Sequence, residues 1–168
     1  MTLLPGDVCA YRAGPDAPPG FKALSLAECL AGLDPSYVHV GLLLSPTEEA
    51  SSYTSGGVMI SVKYRWPCDI LRPTQNLDIA RMTAFMRSVD GLPYGWWMLP
   101  WMGLRRRLGI RHAVSPPWGR PEAVCSSLVA ITLRIGGLDA FPDLDAALVA
   151  PSDYVSAKGL LLADRWQP

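Results

Sequence analysis

The run Val38-His39-Val40-Gly41-Leu42-Leu43-Leu44 is apolar except for one imidazole and one glycine. It is the strongest strand candidate in the chain, and a strand places alternate side chains on opposite faces. Val38, Val40, Leu42 and Leu44 then point one way while His39 and Gly41 point the other. The imidazole stands beside an empty position, which would admit a substrate carbonyl. A glycine in a strand equally marks close backbone packing, so both readings stay open.

The remaining elements follow from period and punctuation. Val8 to Arg12 reads as a short strand after the Pro5-Gly6-Asp7 turn, and Gly14 to Gly20 as a loop. Ser25-Leu26-Ala27-Glu28 fits a capping box that starts a short helix ending near Gly32. Val58 to Tyr64, entered through Gly56-Gly57, is expected to pair with Val38 to Leu44 as an antiparallel hairpin. Asp69 to Arg72 adds a short strand. Ile79, Met82, Phe85 and Val89 mark one apolar stripe in a helix spanning Leu77 to Val89. An irregular middle holds Tyr94, Trp96, Trp97 and Trp101. Val124, Leu128, Ile131 and Ile135 define a second amphipathic helix stopped at Gly136-Gly137, which puts Cys125 in its first turn. Helical turns at Leu144 to Val149 and Ser152 to Ala157 precede a last strand, Leu160 to Trp166. The predicted class is α+β: a small, mainly antiparallel sheet with helices packed on one side, in a single domain over residues 1–168.

Charge and cysteine content narrow the partners. Fifteen basic residues balance fifteen acidic ones, so no overall field steers the chain to nucleic acid or to an anionic membrane, and partners must be read from local features. Cys9, Cys29, Cys68 and Cys125 show no CxxC pair and no zinc-ligand spacing, and no metal or organic cofactor is expected. The start Met1-Thr2-Leu3-Leu4-Pro5-Gly6-Asp7 lacks the features of a secretory signal, which gives a cytoplasmic location as translated, with delivery to a cell wall by lysis or in a phage or secretion particle. Gly91 to Leu104 is too short and too broken by Pro93 and Pro100 to span a membrane.

The chemistry rests on two residue types. There are only two histidines, and His112 lies in a proline-rich segment without strand context, leaving His39 as the candidate base. Cys125 at a helix start would gain from free N–H groups and the helix dipole, both of which favour a thiolate and a developing oxyanion. A cysteine by itself is more often an inert, buried hydrophobe. Ser126 and Ser127 lack a nucleophile elbow, and Cys9, Cys29 and Cys68 fall in predicted strand, helix interior and loop.

Several short motifs occur in a telling order: Gly6-Asp7-Val8, Tyr37-Val38-His39-Val40-Gly41, Glu49-Ala50 ahead of Gly56-Gly57-Val58, Cys125-Ser126-Ser127-Leu128-Val129, and Ala150-Pro151-Ser152-Asp153-Tyr154. Together they resemble the permuted NlpC/P60 group of papain-like proteins, in particular its YiiX/YebB-like branch, over nearly the whole chain. The resemblance implies a permuted papain-like fold with Cys125 as nucleophile, His39 as general base and Glu49 orienting the imidazole. Glu48 would exchange places with Glu49 on a one-residue slip of register. Ser126, Gly41, Asp7 and Tyr37 are candidates for the oxyanion site and substrate cleft. Where relatives often carry an acid two positions after the cysteine, this chain has Ser127.

The implied activity is that of a cysteine amidase or peptidase acting on peptide, peptidoglycan fragments or related amides. Alternatives are lipid acyl chemistry of the lecithin:retinol acyltransferase-like type and a non-catalytic assembly module in a phage tail or secretion apparatus. Trp96, Trp97 and Trp101, followed by Arg105-Arg106-Arg107, suggest a lip that contacts lipid or glycan, or otherwise a core cluster beside a solvated charge run.

Overall fold

Alternation along the first strand divides the interior in two. In a computed structural model describing residues 2–14, 17, 19–30, 32–62, 66–112 and 122–166, Val8 and Ala10 of β1 (Val8–Arg12) pack into one buried cluster and Cys9 and Tyr11 into another. The first cluster is completed by α2 (Ile79–Ser88) through Met82 and Met86 and by α4 (Cys125–Ile135) through Leu128, Val129 and Leu133. The second is completed by Phe21 and Leu24 of α1 (Pro19–Leu30) and by Met98, Leu99 and Met102 of α3 (Met98–Arg107). The α+β class holds, but helices cover both faces of the sheet rather than one.

The other strands are β2 (Tyr37–Leu43), β3 (Glu48–Tyr53), β4 (Gly57–Val62), β5 (Cys68–Pro73) and β6 (Leu160–Trp166). They form one antiparallel sheet in the order β4-β3-β2-β1-β5-β6. The expected hairpin between Val38–Leu44 and Val58–Tyr64 is corrected by β3, which lies between them; Lys63 and Tyr64 fall outside the described residues. β3 has no local strand signal, because Glu48-Glu49-Ala50-Ser51-Ser52-Tyr53 carries little apolar alternation. Its buried polar groups are satisfied one by one, with Ser51 Oγ donating to Val40 C=O (2.6 Å) and Ser52 Oγ to Ala123 C=O (2.7 Å). Cys68, expected in a loop, is a buried strand residue of β5.

The helices differ from expectation at their starts. Ser25 caps nothing: α1 begins at Pro19, where a missing N–H breaks no helical bond and φ is already suitable. Phe21, Leu24 and Glu28 then recur at helical spacing on its buried face. The irregular middle contains α3, and Pro100 is tolerated because it sits in the first turn. In α4 the buried stripe runs through Cys125, Leu128, Val129, Thr132 and Leu133, and Ile131 faces outward. α2 is capped by Asp78, whose side chain accepts from Arg81 N–H at 2.9 Å. Short 3₁₀ turns at Ala146–Leu148 and Pro151–Ser156 lead into β6. Among the described residues no helix is long and apolar enough to cross a membrane.

Candidate functional site

β2 and β3 pair only through Leu42–Ala50 and Leu43–Glu49. Toward the start of β2 the two strands part, and Val40 is left facing the split with both backbone groups. Its carbonyl takes the Ser51 hydroxyl. Its N–H meets the sulfur of Cys125, the first residue of α4. The N–H groups of Ser126 and of Cys125 itself also point at the sulfur, as the free donors of a helix start do. The thiol is therefore seated in the sheet's own gap, one residue along β2 from His39.

Burial decides its charge. Cys125 is 2% exposed, and desolvation pushes the thiol up to about 12, against the lowering by the Val40 N–H and the further rise from Glu28 on α1. The expected lowering at a helix start is present but outweighed. In the resting protein Cys125 is a neutral thiol.

His39 faces the other way, as alternation requires. It pairs with Tyr11 across β1, and its ring lies 5.5 Å from Tyr11, 5.1 Å from Tyr53 and 5.5 Å from Phe21, stacked on the last. It is 1% exposed, and burial brings the imidazole down to about 3. Nε2 is buried with no hydrogen-bond partner among the described residues. A buried polar atom left unpaired costs stability unless something else calls for it.

Glu49 shares that face and is fully buried, whereas Glu48 is exposed. The Tyr11 hydroxyl donates to Glu49 Oε2, and the Tyr53 hydroxyl reaches Oε1 at 3.4 Å. Both tyrosines flank the His39 ring, so the carboxylate is tied to the imidazole's surroundings through them. Burial raises both phenols above their ordinary range, with the Glu49 charge adding to it. Of the two readings left open for Gly41, the close-packing one holds: a β-carbon there would collide with the Glu49 carboxylate.

Two other cleft candidates serve the scaffold. Asp7 is held by Arg72 through Nε (2.8 Å) and Nη2 (2.7 Å) and accepts from Leu4 N–H (2.9 Å). It lies four residues from Tyr11, roughly 13 Å along the strand. It lines a surface cleft of 570 Å³ with Arg72, Thr74 and Asn76, at the far end of β1 from the histidine. Tyr37 donates to Asp69 at 2.6 Å, and Asp69 also pairs with Arg12. Ser126 does touch the thiol, and its carbonyl accepts from the buried Tyr154 hydroxyl at 2.6 Å. Ser127 Oγ donates to Val124 C=O at 3.2 Å, steadying the first turn.

Sequence reasoning missed the residues that enclose the site: Tyr11, Tyr53, Phe21, Glu28, Tyr94 and Tyr154. Two of them carried a signal: Tyr11 shares a strand face with Cys9, opposite Val8 and Ala10, and Tyr154 ends the Ala150-Pro151-Ser152-Asp153-Tyr154 motif. Glu28 is 1% exposed with Oε2 unpartnered, and burial brings its carboxyl up to about 9. Trp97 is 69% exposed, Trp96 is also exposed, and Trp101 is half-buried beneath the Arg105 guanidinium, 4.8 Å from the ring centre. No group of three or more His, Cys, Asp or Glu residues fit to hold a metal occurs among the described residues. No protein-family model matches the chain, and no curated protein matches it significantly.

Proposed function

We propose that the chain is a thiol hydrolase of the amidase or peptidase type, organised as a permuted NlpC/P60-like domain with Cys125 as nucleophile, His39 as base and Glu49 as the group behind the base. The observation that carries this reading is the seating of the Cys125 sulfur, at a helix start, on the N–H of Val40, the residue that follows His39 on β2. Opening of the site lets the thiol proton pass to the free Nε2 of His39, and the thiolate adds to the substrate's amide carbonyl. The oxyanion is received by the N–H groups of Ser126 and Val40. Collapse expels the amine, which takes the proton from His39. Water, deprotonated by the same imidazole, then cleaves the thioester and restores the thiol. Glu49, held by Tyr11 and Tyr53, supports the imidazolium in between.

Cell-wall peptide amides are the first substrate class. A lipid acyl donor is the second, favoured by the exposed Trp96 and Trp97 at the entry to α3. Incubation of the protein with muropeptides or with phospholipid vesicles, followed by intact-mass analysis after acid quench, tests both. A hydroxylamine-labile acyl adduct on Cys125, lost in Cys125→Ser and in His39→Ala, is expected with one of the two. No adduct and no turnover with either would leave a non-catalytic assembly module.

A further inference from the structure

From its N-cap to its C-cap, the outer side of α3 carries Trp97, Trp101, Leu104 and Leu108 at spacings of four, three and four, one stripe along a helix. Leu104 is 58% and Leu108 66% exposed, so the stripe is not core. Advancing roughly 100° per residue, Arg105 and Arg107 fall on its two flanks, while Arg106 turns inward to Asp153 (2.5 Å). Arg107 Nη2 donates to Leu30 C=O at 3.4 Å, bringing the last turn of α1 against the stripe. There Leu26 and Leu30 are exposed, with Ala23 and Cys29 beside them and Lys22 at the edge. The two helices hold one acid between them, Glu28, and it is buried.

We infer that this α1–α3 face docks on an anionic lipid surface. Leucines and tryptophans at the centre of an interfacial helix enter the boundary between headgroups and acyl chains, and flanking arginines extend their stems along the apolar surface to reach phosphates. Each cation near such a surface contributes about a fivefold gain in affinity. A second copy is a poorer occupant: joining like faces brings arginines against arginines with no exposed acid on either helix to receive them. The inference is independent of the thiol chemistry and is tested on Cys125→Ser protein.

The probe is sedimentation with vesicles of phosphatidylcholine, with and without phosphatidylglycerol. Binding is expected to the anionic vesicles and to fall with salt. Combined Trp97→Ser, Leu104→Ser and Leu108→Ser is expected to weaken partitioning about a hundredfold. Arg105→Gln with Arg107→Gln weakens it about thirtyfold at low salt, and this difference closes at high salt. Leu26→Ser with Leu30→Ser, on the other helix, provides a second reading of the same face if the α3 variant fails to fold. Absence of vesicle binding by the parent protein, undiminished binding by the folded variants, or a dimer in sedimentation velocity that the leucine variants dissolve would each overturn the inference.

Discussion

The Glu49 carboxylate occupies the space that a side chain at Gly41 would take on the neighbouring strand. The glycine is what allows a buried carboxylate to lie flat on the sheet within reach of Tyr11 and Tyr53. Gly41→Ala is expected to destabilise the fold by roughly 2–3 kcal/mol, from overpacking and a displaced buried acid. Urea denaturation at constant slope checks it.

Tyr11→Phe removes one donor from that carboxylate and changes little else in volume. A cost of about 2 kcal/mol is expected, as for a buried hydrogen bond to a charged group. Tyr154→Phe, which frees the Ser126 carbonyl, is expected to cost about 1 kcal/mol. Chemical denaturation of both variants in parallel distinguishes them, and equal costs would contradict the role given to Glu49.

Stability against pH should form a plateau with two falling limbs. His39 has its pKa lowered from 6.5 to about 3, so its contribution is complete above pH 6.5 and is lost as pH falls toward 3. Glu28 has its pKa raised from 4.5 to about 9, so its contribution is complete below pH 4.5 and is lost as pH rises toward 9. Between pH 4.5 and 6.5 the two slopes oppose each other; outside that window each acts alone, at roughly 1 kcal/mol per pH unit. Glu28→Gln should flatten the limb from pH 6.5 to 9 and leave the acid limb in place, as read from thermal midpoints.

Alkylation of Cys125 by iodoacetamide should rise about tenfold per pH unit through neutrality without levelling near the ordinary thiol range, because the thiol titrates at about 12. A plateau near pH 8.5 would mean that the sulfur is not seated as described.

Phe21 stacks on His39 and closes it from α1. Phe21→Ala is expected to bring the imidazole pKa from about 3 back toward its ordinary value, followed by the ring-proton shift in NMR. The variant also loses roughly 3 kcal/mol of core packing. An unchanged imidazole in a folded variant would show that other groups keep His39 neutral.

Apolar or β-prone runs bounded by turn residues determined five strands, expected at Val8–Arg12, Val38–Leu44, Val58–Tyr64, Asp69–Arg72 and Leu160–Trp166 and found as β1, β2, β4, β5 and β6, and the period of 3.6 determined α2 and α4, because each is a local signal that fits one regular conformation. Those patterns put His39 on a strand and Cys125 on the first turn of a helix, and both positions are local properties. What lies around them is not. β3 is a strand because its serines and Glu49 find partners on Val40, Ala123, Tyr11 and Tyr53, and no local pattern announces a buried polar strand. The start of α1, the path of α3 through Pro100 and the covering of both sheet faces were settled by tertiary packing. So was the charge of the site: the helix start favours a thiolate, but a sulfur and an imidazole both shut away from water stay neutral. Sequence position determines which groups are near a dipole or a strand neighbour; only the folded surroundings determine how much water remains, and desolvation is the larger effect here.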